Sequence, residues 1–388
     1  MHRIEKFLKH FNKTHFTNTK FAFIALTVIA LSIGAIFLSQ CFPMNVKGYS
    51  NISPAKVNYA ANTKQAQSKS IYKTSSVLLA FDSQRYLHRI MPKTDITQNL
   101  KKLKNVILHF KNKKYNTAFV MVPSSVVKGK TKLPSGITDY QNTSADKALA
   151  GLKSAGIKTL DLRSEFIKNY LDPQRVFFNT DHHWKIPQCV YAAKIISKYL
   201  NTSFKLNLDP KKVYTNYDNY TATKYVKSYS GSFMRIAGKS FVGSPDDFIS
   251  VVPKFKTNYR LRCYTSKGKI QYTNGGKKMD YSGPFTSTLY DGRKSYTGYF
   301  KGGLTELVVN NYWTTNKLKC MVIGTSMGRG ASAFLAQYFK ELRFVDSQGG
   351  RFSKNLYNYV DSYKPDVVLF VYAGFSFENK YTFSYHID

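Results

Sequence analysis

The chain has little of what disulfide or metal chemistry would use. Its 388 residues include four cysteines, Cys41, Cys189, Cys263 and Cys320, and none forms a CxxC pair. That excludes a disulfide-stapled scaffold and a structural zinc site, both of which need clustered cysteines. Cys189 and Cys320 lie in apolar stretches, where the thiol acts as a small packing group. Tryptophan is scarce, with two residues, and histidine nearly so, with eight. Acid is the largest shortage: 22 Asp and Glu stand against 58 Lys and Arg, a formal net charge of +36. Such an excess suits a polyanionic environment. It is spread along the chain instead of gathered in an arm or recognition helix, which argues against a nucleic-acid-binding protein. An anionic cell envelope or an acidic polysaccharide fits better. Disorder is excluded by a hydrophobic content of 43%, with aromatics at 15%.

Charge is missing altogether from Phe21 to Phe42, FAFIALTVIALSIGAIFLSQCF. A helix of that length spans a hydrocarbon core at about 1.5 Å per residue. Arg3, Lys6, Lys9, Lys13 and Lys20 precede it with Glu5 as the one opposing charge, a positive-inside flank. The expectation is a basic cytoplasmic tail over 1–20, a single transmembrane anchor over 21–42, a polar linker over 43–75, and an extracytoplasmic catalytic domain over 76–388 at the cell membrane. A cleaved signal peptide is the alternative, but the run exceeds a usual h-region and no small-x-small site follows. Lipidation of Cys41 is another, poorly served by Gln40 before it.

Beyond the linker, helical and strand patterns alternate. Thr94–Phe110 and Ala145–Ala155 read as helices, as does Ile186–Leu200, with Pro187 in the first turn where its missing N–H costs nothing. Ala118–Val122, Lys158–Leu162, Lys319–Ile323, Arg343–Val345 and Asp366–Tyr372 read as strands, and Ala331–Leu342 as a further helix. Strands separated by helices argue for an α/β fold, a parallel sheet with helices on both faces. Residues 201–316 are rich in Tyr, Thr, Ser, Lys and Gly and read as an irregular, β-rich insertion.

Two of the eight histidines fall together in Thr180-Asp181-His182-His183-Trp184. An aspartate and a histidine this close supply two parts of a Ser-His-Asp relay, and the serine candidate is Ser326 in Gly324-Thr325-Ser326. That serine follows an apolar strand and opens a helix, so it stands where ligands bind in open α/β sheets and where helix N–H groups favour a developing oxyanion. Gly324, Gly328 and Gly330 suit a tight turn and close substrate approach. Of the remaining exported histidines, His109 falls on a helix face and His386 in the tail; His88 is the other. Plainer readings stand beside this one: a shaped turn at 180–184, an N-cap serine at 326, and a solvated Arg329 instead of one that meets an acidic polymer. A metal site built on Asp181, His182 and His183 lacks further ligands, and adjacent residues rarely face one ion.

Thr180–Trp184 resembles the motif of the DHHW family of bacterial exported proteins. It is also similar to the Thr-Asp-x-His-Trp segment of the alginate O-acetylation proteins of the SGNH-hydrolase-like group. Val322-Ile323-Gly324-Thr325-Ser326 resembles that group's serine motif, and Gly231–Asp247 also matches. The resemblance implies an SGNH-hydrolase-like, flavodoxin-like fold. It implies Ser326 as nucleophile, His183 as general base and Asp181 as the residue that orients it, with His182 at a variable position and Trp184 packed beneath the loop. Relatives carry Gly-Gly-Asn upstream of the serine. Here the stretch is Lys301-Gly302-Gly303-Leu304, so the backbone N–H groups of Ser326 and Gly303, supported by Gly324 and Thr325, serve the oxyanion, or Asn310 or Asn311 substitutes. The implied activity is cofactor-free O-acetylation of a cell-surface or secreted polysaccharide, the acetyl group being handed over by a membrane-bound O-acyltransferase. A carbohydrate esterase with the same triad and a non-catalytic wall-polysaccharide binder are the alternatives.

Overall fold

In a computed structural model, residues 46–49, 69–168, 173–275, 296–299, 305–348 and 355–385 are described, all within one unit, Val46–Asp388. The anchor expected at Phe21–Phe42, Cys41, Gly303 and His386 lie outside them. Among the described residues no helix is long and apolar enough to cross a membrane.

The strands are, in chain order, β1 (Val46–Tyr49), β2 (Ile71–Lys73), β3 (Leu78–Phe81), β4 (Leu87–Ile90), β5 (Asn116–Val122), β6 (Lys158–Asp161), β7 (Tyr220–Tyr229), β8 (Asp246–Pro253), β9 (Tyr259–Tyr264), β10 (Ile270–Gly275), β11 (Glu306–Asn311), β12 (Lys319–Gly324), β13 (Glu341–Asp346) and β14 (Val367–Ala373). Eight of them form one sheet in the order β10-β9-β11-β13-β12-β14-β5-β6. The five from β13 to β6 are parallel. The expectation of a wholly parallel sheet needs correcting at the other edge, where β11, β9 and β10 add antiparallel. Those three come from the segment read as an insertion. It extends the sheet because its Leu261, Cys263, Leu307 and Val309 need the same buried cover as the parallel strands. Counted from the serine strand β12, the parallel order reads 2-1-3-4-5, the flavodoxin-like order with its starting point moved along the chain.

Central strands buried on both faces are continuously apolar. On β5, Ala118, Val120 and Val122 face one core, and Phe119 and Met121 the other. The first core holds α3 (Ile186–Phe204) and α4 (Ser326–Leu335). The second holds α1 (Thr97–Asn112), α2 (Gln141–Ser154) and α5 (Leu356–Tyr363). Helices therefore cover both faces, as the alternation implied. After β12 the chain goes by α4 on one face to β13, then by α5 on the other face to β14, on β12's far side. The carboxyl end of β12 is thus a topological switch point, where ligands bind in such sheets. Two three-stranded sheets, β1-β7-β8 and β2-β3-β4, complete the fold. Val46–Tyr49, within the stretch read as linker, pairs with Tyr225–Ala222.

Candidate active site

Asp181 and His183 sit in a loop closed on itself. Phe177 and Trp184 form an isolated bridge, Phe178 N–H donates to His183 O at 3.1 Å, and Lys185 N–H to Val176 O at 2.7 Å. The buried Asp246 carboxylate on β8 takes the N–H groups of Asn179 (2.9 Å) and Thr180 (2.7 Å). Gly231 packs against the loop from the other side. Its N–H donates to Thr180 Oγ1 at 3.0 Å, and Phe233 N–H donates to Thr180 O at 2.9 Å. The loop is therefore held by the β7-β8 unit as well as by its own closure.

The structure brings Asp181, His183 and Ser326 together. Asp181 Oδ1 lies 3.0 Å from His183 Nδ1, and His183 Nε2 lies 2.9 Å from Ser326 Oγ. Asp181 is 4% exposed and surrounded by donors: the His183 N–H at 3.3 Å, Ser232 Oγ at 2.9 Å and, on Oδ2, the Tyr229 hydroxyl at 2.5 Å. Burial alone would raise its carboxyl, but the charge of His183 and hydrogen bonds from both histidines hold it well below the ordinary carboxylate value. His183 is pushed down to about 4, first by burial and then by the neighbouring His182 imidazole, against the opposing pull of Asp181. At neutral pH the pair is a carboxylate beside a neutral imidazole, the state that accepts a proton from serine. The ligating atoms of Asp181, His182 and His183 fall within 4.8 Å of one another. His183 Nδ1, however, is bonded to the carboxylate, His182 Nδ1 to Ser232 Oγ and His183 Nε2 to Ser326, an arrangement of hydrogen bonds instead of metal ligands.

Ser326 is the first residue of α4, directly after β12 and the extended Thr325. The first N–H groups of a helix lack intrahelical partners and favour negative charge at its start, where Ser326 stands; that of Gly328 donates to Thr325 O at 2.9 Å. Gly324 allows the strand end to approach its neighbour, since a Cβ there would stand 2.4 Å from Val371 O. Gly328 and Gly330 are not turn residues: both lie inside α4. A Cβ at 330 would meet Cys189 Sγ at 2.6 Å and the Tyr296 hydroxyl at 2.8 Å.

Tyr296, buried and missed by sequence reasoning, joins the two halves of the site. Its ring stacks on His183 with centroids 4.3 Å apart. Its hydroxyl takes the N–H of Gly330 (3.1 Å) and the Nε1–H of Trp184 (3.2 Å), and donates to Ser326 O (3.1 Å). Trp184 is fully buried beneath the loop against Phe166. Tyr229 and Ser232 were likewise unmarked as single residues, although the Gly231–Asp247 stretch had matched.

Three expectations fail. Arg329 neither faces solvent nor awaits a polymer: it is 3% exposed and pairs with Asp346 at 2.9 Å. Asn310 and Asn311 lie on β11 opposite the amino ends of β13 and β12, the wrong end of the sheet. Asn310 bonds Glu341 and Arg262. Asn311 bonds the backbone of Gln337, Trp313 and Thr314. Neither can serve an oxyanion on Ser326. Two further described histidines are structural: His88 is buried against Asp82 and Ser125, and His109 stacks on Tyr357.

Residues 81–247 match the profile of the family described as SGNH hydrolase-like domain, acetyltransferase AlgX. The match takes in Asp181 and His183 and stops short of Ser326. Among solved structures, PatB1 of Bacillus cereus with a sulfonyl adduct aligns at TM-score 0.63 and 19% identity, covering 81% of this chain and all of that one. A DHHW family protein from Eubacterium siraeum aligns at TM-score 0.56 and 17% identity, over 80% and 95% of the two chains. At such identities these alignments establish a shared fold. No curated protein sequence matches.

Proposed function

We propose that this chain, an enzyme of the SGNH-like O-acyltransferase class, is a membrane-anchored, extracytoplasmic O-acetyltransferase of a cell-surface or secreted polysaccharide. The observation that carries the reading is the continuous relay from Asp181 through His183 to Ser326 Oγ at a helix N-terminus. In the first half-reaction His183 Nε2 takes the serine proton and Oγ attacks the donor acyl carbon. The donor's leaving group departs with that proton, leaving an acetyl ester on Ser326. In the second, a sugar oxygen attacks the ester carbon, its proton passes to His183, and Ser326 Oγ leaves with it. Asp181 holds the imidazole in the tautomer that presents a lone pair to serine.

The basic composition supports an anionic acceptor, and the uncharged run at 21–42 supports anchoring beside a membrane-bound O-acyltransferase that supplies acetyl groups. The test uses detergent-solubilised full-length protein, 4-nitrophenyl acetate as donor, and wall polysaccharide stripped of its ester groups by mild base. Ester formation on the polymer is expected. Release of acetate alone would make the enzyme an esterase.

A further inference from the structure

We propose that His182 receives a hydroxyl of the acceptor sugar on Nε2 and so directs the acyl group to a glycan instead of to water. This inference rests on the acyl-transfer reading above. It begins from hydrogen-bond accounting around Asp181. Ser232 Oγ stands 2.9 Å from Asp181 Oδ1 and 2.8 Å from His182 Nδ1, and His182 Nδ1 stands 3.0 Å from the same Oδ1. An ionised carboxylate only accepts, and a serine has one proton to give. Ser232 must donate to Asp181, for otherwise lone pairs would face each other along two sides of the triangle. His182 therefore carries a proton on Nδ1, given to Ser232 Oγ beside Asp181 Oδ1, and in the neutral ring Nε2 holds the lone pair.

Both histidines thus turn Nδ1 toward one carboxylate oxygen, His183 in a direct hydrogen bond and His182 through Ser232. They differ in what Nε2 meets. That of His183 is occupied by Ser326 Oγ, while that of His182 has no protein partner among the described residues. The His182 side chain remains 24% exposed, and its ring centroid is 3.9 Å from that of His183. Phe375 stands edge-on to it at 6.1 Å, with the Arg89 guanidinium 5.9 Å from the Phe375 ring centre. An acceptor lone pair one ring away from the base, with an aromatic wall beside it, suits a pyranose bearing neighbouring hydroxyls. One hydroxyl gives its proton to His183 as its oxygen bonds to the acyl carbon, and the bond from that carbon to Ser326 Oγ breaks. The next hydroxyl donates to His182, which keeps its own proton on Nδ1 throughout. Water can donate to both rings but brings no ring face to Phe375, so hydroxyl and apolar contact together favour a glycan.

The experiment compares wild type, His182→Asn and His182→Gln as full-length protein, with 4-nitrophenyl acetate and the de-esterified wall polysaccharide. Asparagine can keep a donor near the Nδ1 position and loses Nε2, whereas glutamine reaches the Nε2 position with an amide oxygen. The expected result for His182→Asn is a fall of about tenfold in the ratio of acetylated polymer to free acetate, the factor for one lost hydrogen bond, with a raised KM for polymer and a 4-nitrophenol burst reduced far less than transfer. Glutamine should recover part of the ratio. An unchanged ratio, or a burst that falls in step with transfer, would overturn the role of His182. The latter would make it a support for Asp181. A wild-type protein that shows no burst sinks the acyl-transfer reading itself, and one that releases only acetate overturns the transferase and the His182 role together.

Discussion

Gly231→Ala is the substitution that most sharply probes how the relay is held. The backbone at 231 has φ −89° and ψ −163°, open to any residue, so alanine meets no conformational penalty and the whole effect is steric. Its Cβ would lie 2.2 Å from Asp181 Cβ, 2.5 Å from Thr180 O and 2.6 Å from Asp181 Oδ2. Non-bonded carbons rest at about 3.5–4.0 Å, so one side must retreat by more than about 1 Å. The 231 side is stitched by its bond to Thr180 Oγ1, and the 180 side by Asp246. The strain therefore falls on Asp181, whose 3.0 Å bond to His183 opens out of hydrogen-bonding range. Overpacking of this kind costs about 1–3 kcal/mol of stability, and a displacement of about 1 Å in catalytic geometry costs about a hundredfold in rate. Thermal melting and burst kinetics with 4-nitrophenyl acetate read the two effects separately. Gly129→Ala is the control: φ is +75° and nothing lies within 4 Å, so it loses about 1 kcal/mol and keeps its rate. A Gly231→Ala protein with the wild-type burst rate would refute the placement of Asp181 against Gly231.

Tyr296→Phe removes one hydroxyl that serves Trp184, Gly330 and Ser326, stranding two buried N–H groups. A loss of about 2–4 kcal/mol in chemical unfolding is expected, with a slower burst. The burst rate should be flat from pH 8 down to about pH 5 and fall as His183 takes a proton near pH 4; a midpoint near 7 would contradict the burial of the imidazole. Because the folded value lies below the unfolded one, stability is full above about pH 6.5 and declines by up to about 3 kcal/mol as pH falls towards 4. Denaturant melts across that window read the slope. Asn310→Ala should leave turnover unchanged, its amide being tied to Glu341 and Arg262; a large loss of rate would bring β11 back into the site.

The parallel strands were legible because burial on both faces leaves them uniformly apolar, as in Ala118–Val122 and Val367–Tyr372. Helix α3 was legible from its periodicity and Pro187. The start of helix α4 was legible at Ser326, but its periodic run was placed at 331–342, because Gly328 and Gly330 lower helix propensity while packing against Val371 and against Cys189 and Tyr296 keeps them small. The antiparallel edge was not legible: β9 alternates but is a short run in a polar stretch, β11 alternates weakly, and their partners are fixed by a sheet assembled from distant segments. In the site, Asp181, His183 and Ser326 stood out because their types carry chemistry at a recognisable spacing. Tyr229, Ser232 and Tyr296 did not, since one hydroxyl among 29 tyrosines and many serines carries no mark until the fold brings it to Asp181 or Ser326. Arg329, Asn310 and Asn311 were misread for the converse reason: polar side chains near a motif in sequence can be consumed by ion pairs and backbone caps.

The central claim is that Ser326 carries the acyl group, and intact-mass spectrometry of the full-length protein after brief exposure to 4-nitrophenyl acetate tests it most directly. The wild type should gain one acetyl group, located by peptide mapping on Ser326, and Ser326→Ala should gain none while keeping its fold. An acetyl adduct of equal yield on both proteins, or one mapped to another residue, would contradict it.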